Sequence, residues 1–244
     1  MSAATETPRL RVDVWSDVAC PWCYMGLTYL DKALADFDHG DQIDVVLHSF
    51  ELDPGAPVRD EVPLVTRLAR KYGTTEEQIE ASQTRISQLG KAVDIEFNFE
   101  VTARGSTFDA HRLLHLAADH GSQVALKRRL FVDYFTDGKV VGDADTLRQA
   151  ADAVGLPSDE VEAVLSSDRY TDAVQADIAQ AHELGVTGVP FFLFDGDLGL
   201  AGAQPPERML QVLDRVWAER RPEPAGLLDD LAADGEVCGP SGCA

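Results

Sequence analysis

A chain of 244 residues can build one large domain or a domain carrying a sizeable insertion. Its 45% hydrophobic and 26% charged residues are ordinary for a globular protein, but 42 acidic against 21 basic residues leave a net charge of −21. That balance argues against nucleic acid or an anionic membrane surface as partner, because both are normally met by a basic patch. The basic clusters, Lys127-Arg128-Arg129 and Arg220-Arg221, read as solvated helix faces.

In chain order, Leu10, Val12 and Val14 alternate with Arg9, Arg11 and Asp13, the period of two expected of a strand. A helix is predicted over 24–37, with Leu27, Leu30, Leu34 and Phe37 on one face, and a second strand over 43–52. After the turn signal Asp53-Pro54-Gly55-Ala56-Pro57, strand character is almost lost. Helices are predicted at 63–72, 75–92, 107–120, 122–135, 143–154, 158–166 and 169–184, several with good starting residues such as Thr75 and Ser158. The piece 95–102 reads as a short strand or an extended connector. Strand character returns at 189–194, turns at Asp195-Gly196-Asp197 and continues at 198–201. An amphipathic helix at 206–220 precedes a tail rich in Pro, Gly, Asp and Ala. The order is β-α-β, a block of helices, then (α)β-β-α, with the insertion leaving the core between the second strand and the helix that precedes Val189: an α/β layout with a mixed sheet core and a helical lid. The expected division is 9–58 with 186–220 as the core, 59–185 as an all-helical insertion and 221–244 as the tail.

The N-terminus has neither the charged region nor the apolar run of a secretory signal, and no apolar segment is long enough to span a bilayer. The chain therefore reads as cytoplasmic. Its four cysteines form two pairs, Cys20/Cys23 and Cys238/Cys243. In a reducing compartment such pairs are more often redox-active or metal-binding than structural.

Cys20-Pro21-Trp22-Cys23 falls where a strand gives way to a helix. Unpaired N–H groups and the positive end of the helix dipole favour a thiolate there, which is the form that attacks disulfides. Cys20 is the expected attacker and Cys23 the resolving thiol. A zinc site using Cys238 and Cys243 as the remaining ligands is the weaker alternative, and no metal site is expected. The tail pair is open between a redox relay to the first pair and an inert appendage. His111 and His115, four apart on one helix, suit packing or a lid hydrogen bond better than metal. Asp17 and Glu51 read as capping or surface acids in preference to proton carriers.

The stretches Ser16-Asp17-Val18-Ala19-Cys20-Pro21-Trp22-Cys23-Tyr24-Met25-Gly26, Phe50-Glu51-Leu52, Thr107-Phe108-Asp109-Ala110-His111-Arg112 and Gly185-Val186-Thr187-Gly188-Val189-Pro190-Phe191-Phe192, with Gly202-Ala203-Gln204, are similar to a known family. They resemble the DsbA-like thiol oxidoreductases of the thioredoxin superfamily, in the FrnE-type branch near the 2-hydroxychromene-2-carboxylate isomerases. The resemblance covers roughly 9–220 and implies a thioredoxin-like fold with a large all-helical insertion domain. It also implies a cis Val189–Pro190 bond facing the dithiol, with Pro190 joining Cys20 and Cys23 in catalysis. Pro21, Trp22, Val189 and His111 are then expected near substrate.

The implied activity is thiol–disulfide exchange with protein or small-molecule partners, with no cofactor beyond the dithiol and a low-molecular-weight thiol as candidate co-substrate. A glutathione-type isomerase or transferase acting on an aromatic or polyketide-like molecule, and a chaperone-like client-binding module, are the rivals. Oligomeric state is open. The Pro-Trp spacer places no positive charge between the cysteines, so a less oxidising pair than the most extreme oxidases is expected.

Overall fold

The computed structural model describes residues 9–220. Cys238 and Cys243 lie outside the described residues. β1 (Leu10–Ser16) leads into α1 (Pro21–Asp36), and a 3₁₀ turn leads to β2 (Ile43–Ser49). Seven helices follow: α2 (Leu64–Tyr72), α3 (Glu76–Lys91), α4 (Phe108–Asp119), α5 (Gln123–Phe135), α6 (Ala144–Ala153), α7 (Ser158–Leu165) and α8 (Thr171–Glu183). The chain then closes with β3 (Phe191–Phe194), β4 (Leu198–Ala201) and α9 (Pro206–Arg220).

The four strands form one sheet in the order β2-β1-β3-β4. β1 runs parallel to β2, with Leu10 opposite Ile43, and antiparallel to β3, with Val14 opposite Phe192. Asp195 and Gly196, both at positive φ, make the tight turn between β3 and β4.

Where expected and observed boundaries differ, backbone hydrogen bonding explains it. β2 stops at Ser49 because the Leu52 N–H leaves the ladder for the Asp17 carboxylate, at 2.7 Å. β3 starts only at Phe191, since Pro190 has no N–H to pair. The piece 95–102 is an extended connector with a turn, not a strand. Its Asn98 N–H donates to the Phe135 carbonyl at 2.7 Å, and Phe97 and Phe99 stack beside Phe135.

β1 lies between two strands and is covered on both faces. Leu10, Val12 and Val14 enter the main core with Leu27, Leu30, Met209 and Leu213, and this core continues without a break into α4, α5 and α6. Trp15 faces the other way, in a smaller cluster with Phe50, Ala181 and Val186 under α8. Asp13, on that other face, is buried because α8 and β2 roof it. The last helix before β3 thus covers the sheet and is not part of the lid over α1.

A polar network fastens that roof. Asp177 of α8 accepts the Ser49 N–H at 2.7 Å, and His48 bridges Asp177 and Asp13 at 2.7 and 2.6 Å. His115 reaches the second Asp177 oxygen at 3.1 Å, and the Trp15 indole N–H donates to the Asp177 carbonyl at 3.0 Å while stacking on His48. Burial alone would lower the His48 pKa, but the two carboxylates outweigh it and lift it to about 9. Burial likewise pushes Asp177 up, and His115, His48 and the Ser49 N–H outweigh it to hold the acid well below its usual range.

A raised histidine pKa contributes stability that is complete below the unfolded value and lost as pH rises through the folded one. His48→Gln should therefore cost about 3 kcal/mol between roughly pH 4.5 and 6.5, and much less above pH 9. Urea unfolding across pH checks this; a difference that does not change with pH would refute it.

Candidate functional site

Four residues carry the chain from the end of β1 to the start of α1. Cys20 is the N-cap of α1, with extended φ and ψ, and Pro21 takes the first helical position, where an N–H is not needed. The Cys23 N–H donates to Cys20 Sγ at 3.3 Å, so the capping atom is sulfur. Cys20 Sγ in turn donates to the Val189 carbonyl at 3.6 Å. Both thiols are free and buried, at 3% and 1% exposure. Burial, together with neighbouring Cys20, pushes the Cys23 thiol well up. Within one pair, Cys20 sits at the helix end where negative charge is favoured, and Cys23 is the thiol that resists ionisation.

Val189–Pro190 is cis, and the Pro190 ring lies against Gly26 of α1. A Cβ at Gly26 would stand 2.9 Å from Pro190 Cγ and 3.1 Å from Phe192 Cζ, so only glycine lets the loop approach this closely.

Behind the sulfurs, the sequence reading needs two corrections. Asp17 is buried, at 1% exposure, and is neither a surface acid nor only a cap. It accepts the Leu52 and Ala19 N–H groups and faces His111 Nε2 at 3.4 Å. Burial would raise its pKa, but His111, the Leu52 N–H and the Lys127 charge together hold it below the usual value. Lys127 is not on a solvated face: it is 1% exposed, and its ammonium donates to the Ser16 carbonyl at 3.2 Å and lies over the Phe131 ring. Arg128 and Arg129 are the members of that cluster that reach solvent, pairing with Asp31 and with Asp133 and Asp137.

His111 stands one layer behind Asp17, not against open space. Burial keeps it below its ordinary pKa, so near neutrality it is an uncharged ring. His115 belongs to the α8 network instead. Glu51 is half-buried, and burial with Asp17 and Asp53 nearby raises its pKa.

A cavity of about 450 Å³ opens above Cys20, between the start of α1 and the inner sides of α2 and α3. Cys20, Pro21, Trp22, Asp17 and Val189 form one side, and Leu64, Leu68, Ile79, Ile86 and Phe99 make the lid apolar. Trp22 is 40% exposed at its edge. Three cations absent from the sequence reading also line it: Arg67, Lys71 and Arg104. Asp60 holds Arg67 and Arg104 at 2.7 and 2.6 Å, Asp53 also pairs with Arg104, and Lys71 donates to the Leu52 carbonyl at 2.9 Å. Nothing local in the sequence marks these residues, since each acts across a separation only the fold closes. A larger depression, of about 810 Å³, lies beyond Leu64, Gln83 and Phe99 and does not contain either cysteine.

A mixed sheet of order β2-β1-β3-β4, entered by a β-α-β half and left by a β-β-α half, places the chain in the thioredoxin-like class. Residues 11–214 match the DSBA-like thioredoxin domain, and the chain belongs to that family. It is a thiol–disulfide oxidoreductase with a helical insertion. The probable DsbA oxidoreductase SCO1869 of Streptomyces coelicolor is 43% identical, with 97% of this chain and 99% of that one covered and a TM-score of 0.83. A 2-hydroxychromene-2-carboxylate isomerase has the same fold at 18% identity, 91% and 98% coverage and a TM-score of 0.61. So has the cytosolic disulfide reductase DsbM of Pseudomonas aeruginosa, at 19% identity, 86% and 99% coverage and a TM-score of 0.60.

Gly26→Ala tests the close approach at Pro190. Helix propensity alone would favour alanine by about 1 kcal/mol. Overpacking costs about 1–3 kcal/mol, so a net loss of about 1 kcal/mol in urea unfolding is expected. A stabilised variant would show that the loop yields without cost.

Proposed function

We propose that Cys20 and Cys23 are the exchanging dithiol, with Cys20 the nucleophile. The observation that carries this is the asymmetry of the pair: one sulfur caps a helix and borders the cavity, and the other is buried one turn inside. Cys20 thiolate attacks one sulfur of a substrate disulfide; the substrate S–S bond breaks, one thiolate leaves, and a mixed disulfide forms. Cys23 thiolate then attacks Cys20 Sγ, forming the Cys20–Cys23 disulfide and releasing the second thiol. The substrate is reduced by two electrons and the protein is oxidised; the reverse sequence oxidises a dithiol.

The Val189 carbonyl beside Cys20 and the Pro190 ring give an extended substrate backbone one wall to lie along. Pro21 and Trp22 face the cavity and are proposed as substrate contacts. His111, buried behind Asp17, is proposed to act on substrate only through that carboxylate. The cavity volume suits a small thiol as well as a peptide segment. Arg67, Lys71 and Arg104 favour a carboxylate-bearing one as co-substrate. A structure of DsbM with GSH supports that choice. A cytoplasmic location is proposed from the sparse, paired cysteines; among the described residues no helix is long and apolar enough to cross a membrane.

The enclosed apolar lid also favours a second reading, an isomerase or transferase acting on an aromatic molecule. Cys23→Ser separates the two. Dithiol exchange predicts at least a hundredfold loss of multiple-turnover reduction of insulin or glutathione disulfide, with a mixed disulfide trapped on Cys20. An isomerase keeps its turnover. The pair's potential, measured against glutathione, is expected below about −120 mV, that of a strong oxidase.

Cys238 and Cys243 are proposed as a relay to the first pair. Seventeen residues lie between Arg220 and Cys238, so chain length does not forbid contact. Replacing both by Ser should slow recycling by at least one reductant, with the Cys20 attack rate unchanged. Unchanged turnover with every reductant would remove the relay.

A further inference from the structure

Two adjacent faces of α3 border the two hollows of the insertion. Ile79, Ser82, Gln83 and Ile86 line the cavity over Cys20. One step round the helix, Glu80, Gln83, Thr84 and Ser87 line the larger depression of about 810 Å³. Leu64, Gln83 and Phe99 belong to both, so the hollows form one continuous trough leading away from the reactive thiol. The charges along it change sign. Near Cys20 the wall carries Arg67, Lys71 and Arg104. The outer part carries Asp60, Glu61, Glu80 and Glu100 against the cation Arg59. Asp60 is held by Arg67 and Arg104, and Glu61 shares Arg59 with Asp143, each at 3.6 Å. Glu80 and Glu100, both exposed, have no cationic partner among the described residues. Val62, Val65 and Val101 give this acidic stretch an apolar wall, and Val101 is 47% exposed.

We propose that the outer depression is a second binding site, taking a basic polypeptide segment that flanks the substrate disulfide. The inference rests on the dithiol reading above and names the protein substrates that the site favours. With the disulfide at Cys20, the substrate chain leaves through a cavity of about 450 Å³, roughly 8 Å across, the span of two or three extended residues. From about the fourth residue onward it reaches the depression. There Glu80 and Glu100 meet the charged head of a lysine or arginine, and the valines cover its methylene stem.

Charge selects this occupant over the others. The segment 221–244 carries Glu223, Asp229, Asp230, Asp234 and Glu236 and would meet like charge in the depression. A second copy of a chain with net charge −21 is disfavoured for the same reason. A small acidic thiol is drawn to Arg67, Lys71 and Arg104 and stops short of Glu80 and Glu100. Exposed ion pairs are individually weak, so the preference is severalfold and falls with salt.

The test mixes the reduced full chain with cysteine peptides carried as mixed disulfides of 5-thio-2-nitrobenzoate. Cys20 attack forms the Cys20–peptide disulfide, breaks the peptide–aryl disulfide and releases the coloured thiolate, whose rate is read. One peptide bears lysines about four to six residues from the cysteine on both sides, so chain direction does not matter. A second has glutamines there, and a third has its lysines next to the cysteine. Relative to the glutamine peptide, the first should react about fivefold faster with the wild-type chain than with Glu80→Gln/Glu100→Gln, and high salt should abolish the difference. Asp152→Asn/Asp214→Asn, exposed on α6 and α9, makes the same change in net charge and should keep the wild-type ratio. For the third peptide, wild type and Glu80→Gln/Glu100→Gln should scarcely separate. Equal ratios for the first peptide in wild type and Glu80→Gln/Glu100→Gln, an equal loss in the α6/α9 control, or an equal gain wherever the lysines stand would overturn the proposal. If no peptide releases its thiolate, the dithiol reading fails and this proposal with it. Release from all peptides at one rate overturns this proposal alone and leaves the depression to another occupant, such as a second copy.

Discussion

The buried carboxylate of Asp17 is where the separate pieces of this fold meet. β1 ends one residue before it and α1 begins four residues after it, and its oxygens accept backbone N–H groups from Leu52, just past β2, and from Ala19. A charged group at this depth persists only when its neighbours satisfy it. Here those neighbours come from two insertion helices as well, His111 of α4 and Lys127 of α5. The short link carrying Cys20 is therefore pinned from the sheet side and from the insertion at once, which gives the thiol a defined position without a disulfide to hold it.

The far face of the sheet is secured differently. There Asp177 collects a backbone N–H, two imidazoles and, through its own carbonyl, the Trp15 indole. Two buried carboxylates thus serve opposite purposes. Asp177 is neutralised within a closed network and anchors α8, while Asp17 borders the cavity and shares its field with the sulfurs. Both cost desolvation energy, and in each case fixed hydrogen bonds offset it.

Much of this was readable from the amino-acid order, for physical reasons. The helices and strands emerge because apolar spacing and turn residues act locally; even the start of α9 at Pro206 follows from its own neighbours. Cys20-Pro21-Trp22-Cys23 is legible because helix-end chemistry is local too. Lys127 was not, since one charged residue in a basic triplet looks the same whether its side chain meets water or the end of β1. The union of Asp13, His48 and Asp177 joins three distant segments, and Arg67 and Arg104 meet only through Asp60. Ionic partners that do not share one helix or strand leave no periodic trace.

The main core passes from the sheet into the insertion without a polar boundary: Val12 and Leu30 belong to the same cluster as Phe131 and Leu147. The inserted helices are consequently not an accessory that deletion would trim away to a minimal domain. Removing them would strip the apolar cover from α1 and from the link that holds the sulfurs. A sheet of this kind without the inserted helices would need other residues to seal that surface, so the two parts are constrained together.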